Sequence, residues 1–373
     1  LKLAICSQGE LFGGVERHIL DLIRYVQRSG LPRPTVLLFH DLELADRLRE
    51  SGTEPVILRG RHRYDRDLVL QARSRLDGDR VEVVHAHGYK ATVVCALARG
   101  DSDWKLVKTE HGKLEATLSS PVDWAKSRLN FALEQWLTRR QVDHVCYVTD
   151  DIAGFYGHRH RGLARTTVPN GIDPVDRNTC RRPEELVAGH FNVGVVGRVT
   201  AVKGIDLAIA ALGRPEVPPQ VTLHVIGTGP LESDLRRQAD AAGLAGRVRF
   251  HGFRRDIFDF LAHLDTLLMP SHHEGLPYTL LEAWSLGCPV IASRVGGLAE
   301  ALNGQRGAQL VAAGDVEGIA AALARQVGMS VDEARPGPCP YTLEAMGSAY
   351  LEIFACLAGK AIPDGATAAE RTS

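Results

Sequence analysis

Short apolar runs bounded by glycine, proline or polar turns recur along the whole chain, separated by stretches of helical period. In the first half they fall at Leu3–Cys6, Thr35–Phe39, Val56–Leu58, Val83–His85, Leu106–Thr109, His144–Val148 and Thr166–Val168. Helical stretches such as Glu16–Arg28 and Tyr89–Ala98 lie between them. The second half repeats the theme at Asn192–Val196, Thr222–Ile226, Val248–Phe250, Thr266–Met269, Val290–Ala292 and Ala308–Val311. Its helices include Gly204–Leu212, Leu231–Ala242, Tyr278–Ser285 and Val316–Arg325. Strands alternating with helices predict an α/β fold with mainly parallel sheets covered by helices.

The turn-rich run Pro169-Asn170-Gly171-Ile172-Asp173-Pro174, followed by polar sequence to Arg182, divides this pattern. Two doubly wound domains are expected, residues 1–172 and 173–340, with ligands beyond the carboxyl ends of the strands in a cleft between them. A last helix is expected over 341–357, and the small, polar tail 358–373 reads as disordered. A length of 373 residues fits two such domains. The net charge of −1 argues against a general nucleic-acid binder. It conceals an asymmetry, since residues 1–172 carry 26 Lys and Arg against 22 Asp and Glu, and the remainder 18 against 23. The seven cysteines are scattered without a Cys-x-x-Cys pair, which fits reduced thiols in a cytoplasmic protein. The chain opens as a strand, with no signal peptide evident, and no apolar run has the length of a spanning helix.

The most informative segment runs from Ser271 to Trp284, in which Glu274 and Glu282 are separated by seven residues and Glu274 is followed by Gly275-Leu276-Pro277. A strand precedes it and a helix follows. Gly275 permits a tight turn and Pro277 suits the first helical position, where its missing N–H costs nothing. The N–H groups of residues 276 to 279 would then form a seat for an anion between the two carboxylates. Acidic side chains beside an anion seat suit a phosphorylated ligand rich in hydroxyls, such as a nucleotide sugar. Gly197-Arg198-Val199-Thr200-Ala201-Val202-Lys203-Gly204 also joins a strand to a helix. Arg198, through its planar fork, and Lys203, as a point charge, suit the two sides of a diphosphate. They could stabilise charge on a leaving diphosphate without a metal. Gly13-Gly14-Val15-Glu16-Arg17-His18 follows the first strand, and Val225-Ile226-Gly227-Thr228-Gly229-Pro230 lacks the third glycine of a dinucleotide fingerprint.

Glu-x7-Glu with Gly-Leu-Pro after the first Glu, with the Gly-Arg and Lys-Gly elements, resembles the retaining glycosyltransferases of family four. Those enzymes have the GT-B fold, two Rossmann-like doubly wound domains facing a central cleft. The resemblance implies that Glu274 contacts the donor sugar and Glu282 the ribose, with Arg198 and Lys203 on the diphosphate. It implies that Gly13 and Gly14 face the diphosphate and that Gly227 and Gly229 lie near the nucleotide. Amides after Gly275, at Leu276 and Pro277, would help hold phosphate or sugar, and Phe253, after His251-Gly252, would cover the base. His111, in Glu110-His111-Gly112, matches a histidine beside the donor sugar. His85 and His87, in His85-Ala86-His87-Gly88, are expected to line the cleft. The 341–357 helix is expected to cross back to the first domain.

The activity implied is retaining, metal-independent transfer of a hexosyl unit from a nucleoside diphosphate sugar, a UDP-sugar favoured over a GDP-sugar. The acceptor would be a saccharide or lipid-linked saccharide in cell-surface polysaccharide or glycolipid synthesis, with the leaving phosphate accepting the acceptor's proton. Alternatives are a nucleotide-sugar 2-epimerase of the same fold and a binding protein that has lost turnover. No cofactor is expected. Asp65-Arg66-Asp67 and Asp101-Ser102-Asp103 read as solvated turns, and the histidines lack an acid or cysteine partner at zinc-ligand spacing. A helix from Trp124 to Arg140 carries Trp124, Leu129, Ala132, Leu133, Trp136 and Leu137 flanked by Lys126, Arg128, Arg139 and Arg140. Such a surface fits peripheral contact with the inner membrane face.

Overall fold

The computed structural model describes residues 1–10, 12–62, 65–113 and 121–361. Most of the polar tail, 362–373, lies outside them. The chain forms two compact units, Leu1–Gly171 with Tyr341–Ser373, and Ile172–Pro340.

The first unit holds β1 (Leu3–Ser7), β2 (Thr35–Leu38), β3 (Val56–Ile57), β4 (Val83–His87), β5 (Lys105–Glu110), β6 (His144–Tyr147) and β7 (Ala164–Thr167). They form one parallel sheet in the order β3-β2-β1-β4-β5-β6-β7. The second unit holds β8 (Phe191–Val196), β9 (Val221–Ile226), β10 (Val248–Phe250), β11 (Thr266–Met269), β12 (Val290–Ser293) and β13 (Ala308–Val311). Their order, β10-β9-β8-β11-β12-β13, is also all parallel. Central strands are buried on both faces, β1, β4 and β9 along their whole length, as parallel strands between helical layers must be.

Both sheets wind outward from a middle strand and then reverse. The reversal lies between β1 and β4 in one unit and between β8 and β11 in the other. At such a switch point the loops beyond the carboxyl ends of the two strands diverge, leaving a crevice where ligands bind.

The helix Leu343–Ala358 belongs to the first unit, where it packs against the helix Gly14–Arg28. The approach is close because residue 347 is glycine: a Cβ there would lie 2.2 Å from the Tyr25 ring. Tyr350, Leu351 and Phe354 complete a core with Leu3, Ile5, Ile19 and Leu22. Asp65, in an Asp-x-Asp run, caps the helix Arg66–Gly78 by accepting from the Asp67 N–H, and Asp67, Asp101 and Asp103 are exposed. The seven cysteines are free thiols.

Candidate functional site

Three loops of the second unit converge at its switch point, and glycines set their spacing. Gly204, in the left-handed region at φ 61°, lies so close to the β11 loop that a Cβ would sit 2.1 Å from the Pro270 carbonyl oxygen. Gly227 is pressed equally hard against Gly197, whose carbonyl oxygen a Cβ would meet at 1.9 Å. The His272 N–H donates to the Val202 carbonyl at 2.8 Å, stitching the β8 and β11 loops together. This backbone contact places Lys203 beside Glu274.

Lys203 Nζ donates to Glu274 Oε1 at 2.6 Å, and Ser271 Oγ donates to the same oxygen at 2.8 Å. The pair is mostly withdrawn from water, with side-chain exposures of 23% and 10%. The Glu274 carbonyl accepts from the Gly297 N–H, so the loop carrying it is also tied to the helix Gly296–Leu302. Arg198, on the same β8 loop as Lys203, is exposed. Glu282 lies in the second turn of the helix Tyr278–Ser285 and is buried, so it is not a solvated surface carboxylate.

Pro277 takes a different place from the one expected. It is the N-cap, with extended backbone (φ −76°, ψ 138°), and Tyr278 opens the helix. A residue without an N–H is tolerated at either position, and the Pro277 carbonyl accepts from Leu280 in the first turn. The Leu276 side chain is buried, so only its backbone is available to a ligand. Gly229 packs on the Arg198 loop, where a Cβ would lie 2.3 Å from the Val199 oxygen. Phe253 is 58% exposed beyond β10, which excludes a core role. The Gly227 N–H donates to the Gly252 carbonyl at 2.8 Å, holding the loop before Phe253 against the β9 loop. Thus Arg198, Lys203, Gly229, Phe253, Glu274 and Glu282 all belong to loops or a helix beyond the carboxyl ends of neighbouring strands.

The first unit carries a second cluster at its own switch point. His85 and His87 lie in β4, and both are buried. The expectation that they line a cleft therefore fails. They sit on one face of a central strand, and the helix Leu343–Ala358 covers that face, bringing Tyr350 and Phe354 to 5.0 and 5.3 Å from the His85 ring. His85 Nε2 bonds the Thr109 hydroxyl at 2.7 Å, and Thr109 bonds Tyr350 at 3.0 Å. His87 Nδ1 and His111 Nε2 are 2.9 Å apart, with His111 half-buried after β5. His18, from the helix Gly14–Arg28, joins them and bonds Asn170 Oδ1 through Nδ1 at 2.9 Å. Burial holds all four imidazoles neutral: His18 falls to about 4, and His85, His87 and His111 are lowered well below the ordinary value. Nothing in the sequence pattern joins His18 and Asn170 to the His85–His111 group, because only the tertiary fold brings these distant segments together.

Beneath His111 lies an ionic network that the sequence did not reveal. Lys108 is fully buried, paired with Glu110 at 2.5 Å and with Glu134 of the helix Pro121–Gln141. Burial works against the Lys108 charge, but the two carboxylates outweigh it and raise the group overall. Burial lifts Glu110 to about 7, with Lys108 opposing. Gln135 extends the network to His160, which bonds Tyr147 at 2.7 Å. Gly13 caps the first helix, and its N–H is committed to Glu16 Oε2 at 3.0 Å, so it is not open to a phosphate. Gly14 is exposed at the first helical position. Surface depressions of about 550 and 670 Å³ lie apart from these loops, one beside Arg161 and Arg165 and one beside Gln309 and Arg325.

Comparison with known proteins agrees with this architecture. A family model described as Glycosyltransferase Family 4 matches residues 12–176, and one described as Glycosyl transferases group 1 matches residues 190–328. The lipopolysaccharide core biosynthesis glycosyltransferase LpsE of Rhizobium meliloti is 32% identical over 361 residues, covering 92% of this chain and 96% of that protein. The glycogen synthase of Mycobacterium tuberculosis is 34% identical over 253 residues, 65% of this chain, and the match spans only 59% of that protein's length. Among solved structures, Anabaena HepE in complex with UDP superposes with a TM-score of 0.80 at 22% identity, covering 95% of this chain and 100% of that one. Two parallel doubly wound sheets, both family models and a relative aligned over nearly its whole length agree, and this chain belongs to the family-four-like glycosyltransferases of GT-B fold.

Proposed function

We propose that this chain is a retaining glycosyltransferase that moves a hexosyl unit from a nucleoside diphosphate sugar to an acceptor hydroxyl. The observation that carries the reading is the Lys203–Glu274 pair, held by the β8 and β11 loops at a switch point. A donor entering there exchanges the partners of that pair. Lys203 turns with Arg198 to the diphosphate, and Glu274 turns to the hydroxyls of the sugar. Glu282 holds the ribose, Phe253 covers the base, and the backbone at Gly229, Gly275, Leu276 and Pro277 seats phosphate and sugar.

Breaking the anomeric bond puts negative charge on the leaving diphosphate. Two cations, Arg198 and Lys203, beside the leaving diphosphate stabilise that charge, so no metal is needed there. The leaving phosphate then accepts the acceptor's proton, and no protein base is required. A UDP-sugar is favoured as donor, supported by the complexes of HepE with UDP and with UDP-glucose. A saccharide or lipid-linked saccharide of cell-surface polysaccharide or glycolipid synthesis is the acceptor class, supported by the likeness to LpsE.

The enzyme works in the cytoplasm with peripheral contact at the inner membrane face. Trp124, Leu129, Leu133 and Trp136 are exposed on the helix Pro121–Gln141 beside Lys126, Arg128, Arg139 and Arg140. Among the described residues, no helix is long and apolar enough to cross a membrane.

The test is a panel of UDP- and GDP-sugars with and without saccharide acceptors, reading nucleoside diphosphate release. Donor- and acceptor-dependent release with an α-linked product from an α-linked donor is expected. Acceptor-free formation of a free epimer, or binding without turnover across the panel, would replace the transferase reading with one of its two rivals.

A further inference from the structure

We infer that His18, His87 and His111 form a binding site for one transition-metal ion of the zinc class, with three imidazole ligands and a fourth position open to water. Each ring offers a nitrogen, and the three nitrogens lie within 4.8 Å of one another. The ring centroids make a nearly equilateral triangle: His18 to His111 is 4.9 Å, His87 to His111 is 5.2 Å and His18 to His87 is 5.3 Å. Zinc bonds imidazole nitrogen at about 2.0–2.1 Å, which puts tetrahedral ligand atoms roughly 3.4 Å apart. Closing from the present spacing takes about an ångström of ring rotation, within the range of side-chain torsions.

Two further observations point to a ligand. His18 Nε2 and His87 Nε2 are buried without any hydrogen-bond partner, and the residues are 0% and 1% exposed. A buried polar atom left unpaired is costly, so a shared cation would relieve a standing penalty. The second is the partner of the other His18 nitrogen. Asn170 Oδ1 accepts from Nδ1–H, which fixes the tautomer and leaves the Nε2 lone pair free, the arrangement that orients histidine ligands. The donor set has no thiolate and no carboxylate. Neutral imidazoles alone suit zinc and its neighbours rather than calcium or magnesium. His111 is the half-buried member of the three, and His18 and His87 are buried.

Zinc was set aside on the sequence for want of an acid or cysteine near His85, His87 and His111. The fold brings His18, from the helix Gly14–Arg28, to His87 in β4 and His111 after β5. The site is distinct from the Lys203–Glu274 machinery, and the inference stands whether or not the transferase reading does.

The test is titration of the tag-free, chelator-stripped full chain with cobalt(II), read by the visible d–d absorption of a tetrahedral centre, followed by zinc competition. One equivalent is expected to bind, with bands that zinc abolishes and a zinc-dependent rise in melting temperature. His18→Ala and His111→Ala should remove the bands. Asn170→Ala, which only orients a ligand, should weaken binding by about 10–100-fold. His263→Ala, in the other unit, should change nothing. Because His18→Ala removes a buried side chain, the half-buried His111→Ala is the variant to use if the former does not fold. Absence of stoichiometric cobalt binding, or binding undiminished in His111→Ala, would overturn the assignment.

Discussion

Replacing Lys203 with alanine takes away the ammonium that Glu274 Oε1 holds at 2.6 Å and leaves the Ser271 hydroxyl donating to that oxygen. At an effective dielectric near 20, two unit charges about 4 Å apart attract by about 4 kcal/mol. Side-chain exposures of 23% and 10% and the cost of desolvating both groups reduce the net contribution to stability to about 1–2 kcal/mol. The catalytic effect should be larger, because the lost cation faces charge that develops only as the diphosphate leaves. One such group is worth about 100- to 1,000-fold in turnover. The assay is initial-rate release of nucleoside diphosphate at saturating donor and acceptor, beside urea melts, for Lys203→Ala, Glu274→Ala and the double variant. Turnover should fall by orders of magnitude in each single variant while the melts shift modestly. The double variant should lose less stability than the two singles together, with a coupling on the order of 1 kcal/mol. Wild-type rates in either folded single variant would refute the reasoning.

Acid should destabilise both units. Burial holds His160 in the first and His224 in the second at about 3, against 6.5 when unfolded. Below pH 6.5 the unfolded chain takes up protons that the folded chain refuses, so stability falls from there towards pH 3, by on the order of a few kcal/mol. A melting temperature flat between pH 7 and 4 would contradict this. Gly204→Ala puts a side chain at φ 61° and a carbon 2.1 Å from the Pro270 oxygen, so about 2 kcal/mol of stability and most of the turnover should be lost. Retained turnover would show that the β8 and β11 loops need not touch. Phe354→Ala, at a residue 1% exposed, should cost the first unit about 3–5 kcal/mol in urea titration, and a change under 1 kcal/mol would mean that the last helix contributes little. Trp124→Glu with Leu129→Glu should abolish co-sedimentation with vesicles rich in anionic lipid while sparing transfer to a soluble acceptor, and undiminished sedimentation would remove the helix from the membrane reading.

Much of the fold was legible because parallel strands buried on both faces write themselves as apolar runs. Val248–Phe250, Thr266–Met269 and Ala308–Val311 were read with their observed ends. The reading of β4 and β5 stopped short, since His87 and Glu110 are polar and interrupt the apolar run that marks a strand. Their polarity is tolerated because each has a partner: His111, from the loop after β5, for His87, and Lys108, two residues back in the same strand, for Glu110. Within the candidate site, Glu274 and Lys203 were legible through local spacing around turns, and the fold brings them into contact. The His18–Asn170 bond was hidden because it joins residues 152 positions apart, and no periodicity records such a pairing. The exposure of Phe253 could not be read either, since an aromatic after a strand fits a core and a rim equally well.

The place where the chain leaves the first unit and the place where it returns are adjoining. A Cβ on Gly171 would lie 2.1 Å from the Thr342 carbonyl oxygen, and the Gly171 N–H points to the Met346 sulfur at 3.2 Å. The second unit is therefore a single uninterrupted segment spliced into the first through one narrow seam. A few glycines bridging that seam would close the first unit on itself, and residues 172–340 could be produced as a free-standing fragment. Donor affinity and metal affinity would then be measured on separate molecules.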